Sequence, residues 1–588
     1  MSLPLPAPEA RLREHLTFLY GAEAAARLLP QILDRARAFR AQHPPPAPAT
    51  RRVLTHQDAL LITYGDQVRA PATPPLAALR DFLRVWARGV VNWVHLLPFF
   101  PYSSDDGFAV VDYTQIHPGW GTWQHIQDLA RDFALMFDAV INHVSSQHRW
   151  FQRFLAGDPT YADFFITVPP DTDLSAVVRP RPWPLLTRFD TPRGPVWVWT
   201  TFSADQVDLN YHNPQVLLAV LDVLLFYIAH GAAMLRLDAI AYIWKEIGTS
   251  CIHLEGAHRL VKLLRAVLDL AAPHVLLLTE TNVPHAENIA YFGNGYDEAQ
   301  LVYQFSLPPL VLHTFATGNA QRLTAWAQTV RAPSPATTFL NFLASHDGIG
   351  VRPVEGLLSP AEVEHLVQRT LAHGGLVSYR SRADGQRSVY ELNISYFDAL
   401  SDPAGDEPLA LQVARFVAAH GIMFSLAGVP ALYVHSLFGS RGDPDAAART
   451  GHPRAINRAK FDRQQVEAEL RAPRHRRAQV YHGLRRLLQV RQTQPAFHPQ
   501  GEQQVLEAGP GVFAVLRVPP PHERGAAVLA VHSVRATAQE VIVPLPAAWA
   551  RGVWVDLLAP RERSEATARG LPMHLAPYQV RWWRLEER

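Results

Sequence analysis

The chain has 588 residues, 48% of them hydrophobic, with a formal net charge of +2. That is a globular composition with material for more than one domain, and a charge so close to zero gives no reason to expect nucleic acid or an anionic membrane surface as a partner. The single cysteine, Cys251, excludes a disulfide framework within the chain and suits a reducing compartment.

The opening MSLPLPAPEARLREHL lacks the basic stretch and apolar run of a secretory signal. No apolar run reaches about 18 residues without charge or proline, so no membrane span is expected and the chain reads as cytoplasmic. Residues 1–50 predict an N-terminal helical extension, PEARLREHLTFLYGAEAAARLLPQILDRARAF, followed by a linker stiffened by prolines. From ALLITYGD onward, short apolar strands alternate with amphipathic helices, the signature of βα units around a parallel sheet. The strands are ALLITYGD, NWVHLLPF, ALMFDAVINH, MLRLDAI, VLLLTET, QLVYQF, TTFLNFLASHD and ALYVHSL, which predicts a (β/α)8 TIM barrel over 51–143, 213–348 and 413–497. One helix, GAHRLVKLLRAVLDL, carries Leu260, Val261, Leu264, Val267 and Leu268 on one stripe for packing outside that barrel.

Two intervals are too long for simple loops. Residues 144–212 and 349–412 read as inserted subdomains, B and B', at the catalytic face. Residues 498–588 change texture to GVFAVLRV, AAVLAVHSV, QEVIVPL, VWVDLL and YQVRWWRL, short strands between turns, and predict a C-terminal all-β domain. No short repeat suggests a solenoid, and nothing in the pattern speaks to oligomeric state.

Reactive groups in such a barrel come from the C-terminal ends of strands, so the position of an acid carries information beyond its identity. Four predicted strands end in polar clusters: Asp138, Asn142 and His143; Arg236, Asp238 and Tyr242; Glu280; His346 and Asp347. One such acid is as well explained by a structural ion pair. Acids converging from several strands at one end of a barrel suit glycosyl transfer with retention: one carboxylate attacks the anomeric carbon and a second, roughly 5 to 5.5 Å away, protonates the leaving oxygen and later acts as base. Arg236 lies on the same strand face as Asp238 and is expected to lower its pKa, whereas the apolar run before Glu280 is expected to raise that of Glu280.

The ordered set DAVINH, MLRLDAIAY, LLLTETN and FLASHD resembles the four signature regions of the α-amylase superfamily of glycoside hydrolases and transglycosidases. The resemblance implies Asp238 as nucleophile, Glu280 as general acid/base and Asp347 as transition-state stabiliser, with His143, Arg236 and His346 lining the glucose subsite. HLLPFFPYSSDDGFAVVDY, VVRPRPWPLLT, KEIGTSCIHLE, QFSLPPLVLH, SHDGIGVRPVEGLL and GHPRAINR narrow it to the sucrose phosphorylase subfamily, which transfers glucosyl groups to inorganic phosphate. By that likeness Asp105 and Arg454 hold the far side of the glucose ring, Phe108 is a hydrophobic platform, and Arg181 and Tyr242 contact phosphate. The planar donor fork of an arginine and a tyrosine hydroxyl both suit that anion.

The stretches LYGAEAAARLLPQIL, VWTTFSADQVDLNY, TETNVPHAENIAYFG and LFGSRGDPDAAARTGHPRAINR resemble the glucosylglycerate phosphorylase branch. That likeness implies a glucosyl glycoside, inorganic phosphate and D-glycerate as partners. The carboxylate of glycerate calls for a cation, and Arg441 in GSRGD is the candidate by chemistry. Sucrose, sucrose 6'-phosphate and glucosylglycerol phosphorylase remain open as alternatives with the same donor residues. A noncatalytic amylase-fold scaffold is a more distant one. The acids supply the proton chemistry themselves, no cluster of oxygen ligands stands out, and no metal or cofactor is expected.

Overall fold

The computed structural model describes residues 5–46, 51–181, 183–381 and 387–586. Parts of the linker, of the RPRP stretch and of the second insertion therefore lie outside the described residues. Eight parallel strands close a barrel in chain order: β1 (Leu60–Thr63), β2 (Trp93–Leu96), β3 (Ala134–Ala139), β4 (Ala232–Leu237), β5 (Leu276–Thr279), β6 (Leu301–Tyr303), β7 (Thr338–Phe342) and β8 (Val429–Tyr433), which returns to pair with β1. They match the eight apolar runs of the sequence. Most are buried along their whole length, as strands must be when side chains fill the barrel on one face and helices cover the other.

Helix α1 (Pro8–Gln42) is the N-terminal extension; its Gly21, at φ +80°, breaks the helical path in a conformation glycine adopts without strain. Its apolar side, with Leu12, Leu16, Leu29 and Ile32 buried, joins the barrel core. Helix α2 (Pro214–Ala229), capped by Asn213 and started by Pro214, and helix α3 (Glu255–Ala271) receive it. Arg35 of α1 donates to Asp222 of α2 at 2.9 Å, and Arg11 of α1 to Asp269 of α3 at 2.7 Å. Asp269 also accepts from Arg51 and Arg265.

The first insertion places a helix, Arg149–Leu155, and a hairpin, Leu186–Thr191 with Gly194–Trp199, over the barrel. Its exit strand Gln206–Asp208 pairs antiparallel with His143–Ser145, which brings Gln206 beside His143. The second insertion holds a three-stranded sheet of Ile349–Gly350, Arg387–Asn393 and Leu376–Ser381 and the helix Pro360–Ala372, started by a Ser359/Glu362 capping box. Helix α4 (Leu409–Ser425), which leads into β8, begins four residues before the boundary expected at 413.

The C-terminal residues form a six-stranded antiparallel sheet and a separate two-stranded one. In Val512–Val518, Phe513 and Val515 belong to the barrel core while Val512, Ala514 and Leu516 belong to a second core on the other face, the alternation a two-residue strand period requires. Arg517 from the same strand is fully buried and donates to the carbonyls of Ser425, His498 and Gly501, tying sheet to barrel.

Candidate active site

Strand register assembles the site. Asp138 on β3 pairs with Arg236 on β4, and Arg236 with Leu278 on β5. The ladder then continues one step beyond the strands: the Asp238 amide donates to Ala139 O at 3.2 Å and the Glu280 amide to Leu237 O at 3.1 Å. Two carboxylates thus leave adjacent strands at the same height and face the same cavity. Ala239 follows in the left-handed region at φ +49°, which an L-residue enters at a cost of roughly 1–2 kcal/mol. In that turn its amide points at Glu280 Oε2, 3.1 Å away. The strain sits between the two acids and fixes one against the other.

Arg236 is buried beneath them, bonded to Asp138 and, at 2.8 Å, to Asp238 Oδ1. His95 Nε2 lies 2.7 Å from the other oxygen of Asp138. The expectation that Arg236 lowers the pKa of Asp238 holds for its own contribution but not for the sum. Burial outweighs it, and Asp238 is pushed up to about 7. Burial also pushes Glu280 up to about 7, as expected from the apolar run before it. The charged Arg236 bond on Asp238 is the stronger donor of the two, against the neutral Ala239 amide on Glu280, and it favours the ionised form of Asp238 with the shared proton on Glu280. Asp347 behaves oppositely: Arg454, His346 and Arg458 hold it well below the usual carboxylate range despite burial.

Asp105, Phe108, His143, Arg181, Tyr242, His346 and Arg454 line the same cavity. Phe108 stacks on His346 with centroids 5.0 Å apart and planes 4° from parallel. Burial pushes the His346 imidazole down to about 3, so it faces the cavity neutral at ordinary pH. His143 Nε2 donates to Phe108 O at 2.9 Å, while Nδ1 lies 3.1 Å from Asn142 Nδ2 and accepts. Arg454 pairs with Asp347 and grips Glu391 with two bonds, at 3.0 and 2.6 Å. Arg181 covers Tyr390 at 5.4 Å, and Tyr242 packs edge-on against Phe202 at 5.5 Å.

Arg441 is the exception. It pairs with Asp398, donates to Gln412 Oε1 at 3.0 Å and covers Phe397, and it does not line the cavity. The GSRGD loop supplies a cation, but its direction is decided by Asp398 of the second insertion. Four lining residues had no signal of their own in the sequence: Gln206, Asn282, Tyr390 and, in the adjoining cavity, Glu391. Gln206, Tyr390 and Glu391 come from inserted strands whose register with the barrel is a tertiary fact. Asn282 stands two residues past Glu280, with a buried Oδ1 that has no partner.

The side-chain oxygens of Asn142 and Asp208 meet a cation of the chain itself. The Lys245 ammonium is 2.6 Å from Asp208 Oδ2 and 2.8 Å from Asn142 Oδ1, all three buried. Among the described residues one group, His498, His522 and Glu523, stands close enough to share an ion. There His498 Nδ1 accepts the Gln500 amide at 3.0 Å, so the neutral ring carries its proton on Nε2 and offers no lone pair on that side.

A family model described as alpha amylase, catalytic domain, matches residues 89–349. The fold and this match define a member of the α-amylase superfamily. A glucosylglycerate phosphorylase of Allomeiothermus silvanus is 55% identical over 503 residues, 85% of this chain and 89% of that one. That of Escherichia coli is 43% identical over 97% of this chain and 99% of its own. The chain belongs to the glucosylglycerate phosphorylase family. A sucrose phosphorylase of Agrobacterium vitis is more distant, at 32% identity over 74% of this chain and 88% of its own. The crystal structure of a sucrose 6F-phosphate phosphorylase from Thermoanaerobacter thermosaccharolyticum superposes with a TM-score of 0.72, at 25% identity over 85% of this chain and 98% of that one.

Proposed function

We propose that the chain reversibly transfers glucose from 2-O-(α-D-glucopyranosyl)-D-glycerate to inorganic phosphate, giving α-D-glucose 1-phosphate and D-glycerate. The observation that carries this is the convergence of Asp238, Glu280 and Asp347 on one cavity, with burial and neighbours holding their charges apart, in a chain whose relatives bear that name. Asp238 attacks the anomeric carbon while Glu280 gives its proton to the glyceryl oxygen, and glycerate leaves. Phosphate then attacks the glucosyl-enzyme from the same face, Glu280 takes the proton of the attacking phosphate, and the Asp238 carboxylate is released. Asp347, kept ionised, and Asp105, His143, Arg236, His346 and Arg454 hold the sugar against the Phe108 platform, while Arg181 and Tyr242 receive the phosphate. Phosphate competes with bulk water only when it is held for attack and water is excluded, which the lid of inserted strands around Tyr390 and Phe202 favours. The single buried thiol suits a cytoplasmic setting, and no described helix is long and apolar enough to cross a membrane.

Incubating the protein with phosphate and, separately, glucosylglycerate, sucrose, sucrose 6'-phosphate and glucosylglycerol tests the reading. Release of glucose 1-phosphate is expected to be fastest from glucosylglycerate. Faster release from sucrose would assign the chain to another acceptor with the same donor chemistry.

A further inference from the structure

Arg454 serves two carboxylates at once, Asp347 by an ion pair and Glu391 by two hydrogen bonds. Those contacts use three of its five N–H groups, and a turn of the guanidinium toward a sugar hydroxyl loosens the single Nη1 contact that holds Asp347. Arg458, four residues on, stands ready beside the same pair. It is buried, donates Nε to His346 O at 2.9 Å and pairs through Nη1 with Asp106. Its Nη2 is buried with no hydrogen-bond partner and lies 3.9 Å from Asp347 Oδ1. A buried guanidinium nitrogen left unpaired is costly, so the site has a reason to use it.

Asp106 is itself under constraint. Asp105 and Asp106 lie in the left-handed region at φ +53° and +48°. Gly107 follows at φ +112°, where a Cβ would come within 2.8 Å of Pro98 O. Two successive L-residues in that region persist only where contacts hold them, and the Arg458–Asp106 pair is one such contact. Arg458 thus ties the loop after β2, which carries Asp105, to the end of β7, which carries His346 and Asp347.

We infer that Arg458 is a positioning residue with two tasks: it clamps the strained Asp105–Asp106 turn to the β7 end, and its free Nη2 takes over Asp347 when Arg454 turns to the sugar. This rests on the proposed donor chemistry but not on the identity of the acceptor, so it is tested with α-D-glucopyranosyl fluoride and phosphate, read as fluoride release. In Arg458→Met, kcat is expected to fall about 10- to 100-fold with KM for the fluoride changed less than about threefold, below the roughly 10²–10³-fold of losing a donor that touches the reacting atoms because Arg458 acts through Asp347. Asp106→Asn, which removes the charge of the clamp but leaves Nη2 in place, is expected to lose less than about tenfold, and Arg458→Lys to recover part of the loss. A kcat in Arg458→Met within about threefold of wild type overturns the inference, and so does an Asp106→Asn loss as large as that of Arg458→Met, which would leave only the clamp. A crystal structure of Glu280→Gln with glucose bound gives a readout independent of turnover and of whether Arg458→Met folds. Nη2 within hydrogen-bond distance of Asp347 supports the handover, and an Nη2 still unpaired sinks it. A wild-type chain that phosphorolyses the fluoride but not glucosylglycerate refutes the acceptor assignment alone.

Discussion

Asp238 and Glu280 illustrate how a site sets two like groups to different work. Each is raised by burial, and the difference between them is the donor each accepts from: the charged Arg236 guanidinium at Asp238 and the neutral Ala239 amide at Glu280. Activity is expected to follow a bell in pH, falling below the pKa of Asp238, which must be ionised, and above that of Glu280, which must be protonated. The same shift is a stability statement. Glu280 binds its proton more tightly folded than unfolded, so stability is undiminished below the unfolded pKa and is lost as pH rises toward the folded value of about 7. Glu280→Gln removes that loss. It is expected to raise the melting temperature at pH 8, by up to about 3 kcal/mol of stability, and to leave it nearly unchanged at pH 5, where Glu280 is already neutral. The variant's turnover of glucosylglycerate should fall by roughly 10²–10⁴. Parallel thermal melts at the two pH values decide it: equal shifts would mean that burial of Glu280 carries no ionisation cost. The strand-end acids were legible because a barrel strand tells which end its last residue faces. Arg441 was not, because a loop arginine takes its direction from whichever carboxylate the folded chain brings to it, here Asp398. Arg458 went unremarked within GHPRAINR for the same reason: its partners lie about 110 and 350 residues away in the chain.

At the scale of elements, the apolar runs of the barrel were readable because parallel strands are buried on both faces and need no alternation to announce themselves. The strands missed were short or weakly apolar. Glu502–Leu506, Arg563–Glu565 and Leu571–Leu575 are placed by pairing with neighbours rather than by their own composition. The first insertion shows what such pairing does for function. Its return strand carries Asp208 to the Lys245 ammonium, so that a charge from the loop after β4 closes the corner that Asn142 opens after β3. Lys245→Met leaves a buried carboxylate without its cation and is expected to cost about 3 kcal/mol or more, the scale of breaking a buried pair. Adding Asp208→Asn removes the stranded charge and should return part of that stability. Dialysis against a chelator should leave both the melting temperature and glucosyl transfer of the wild type unchanged, because the oxygens Asn142 Oδ1 and Asp208 Oδ2 already have their cation. A chelator-sensitive melt would show that another ion holds the fold.

The whole molecule is fastened by arginines. Arg491 and Arg517, both fully buried, donate to backbone carbonyls where the barrel meets the C-terminal sheet, and Asp269 collects Arg11, Arg51 and Arg265 where helix α1 meets α3. The sequence predicted a helical extension from its periodicity but not its berth, because the stripe on α1 matches any apolar face. The berth is a site with three guanidinium groups and one carboxylate, and that imbalance makes Asp269 the residue on which the docking turns. Asp269→Ala leaves Arg11 and Arg265 buried without counter-charge. It is expected to lower the melting temperature by an amount corresponding to about 3 kcal/mol, whereas Arg35→Ala, which breaks the partly exposed contact to Asp222 and an exposed bond to Gln31 O, should cost about 1 kcal/mol or less. Removing residues 1–46 uncovers the apolar faces of α2 and α3 that Leu12, Leu16, Leu29 and Ile32 cover, at roughly 1.5–3 kcal/mol for each buried side chain. The truncated chain is therefore expected to aggregate or to melt at a much lower temperature, although the helix contributes no residue to the catalytic cavity. Scanning calorimetry of the truncated, Asp269→Ala and Arg35→Ala chains ranks the three. A truncated chain that melts with the intact one would show α1 to be an appendage, and the charge on Asp269 would then have to matter for α3 alone.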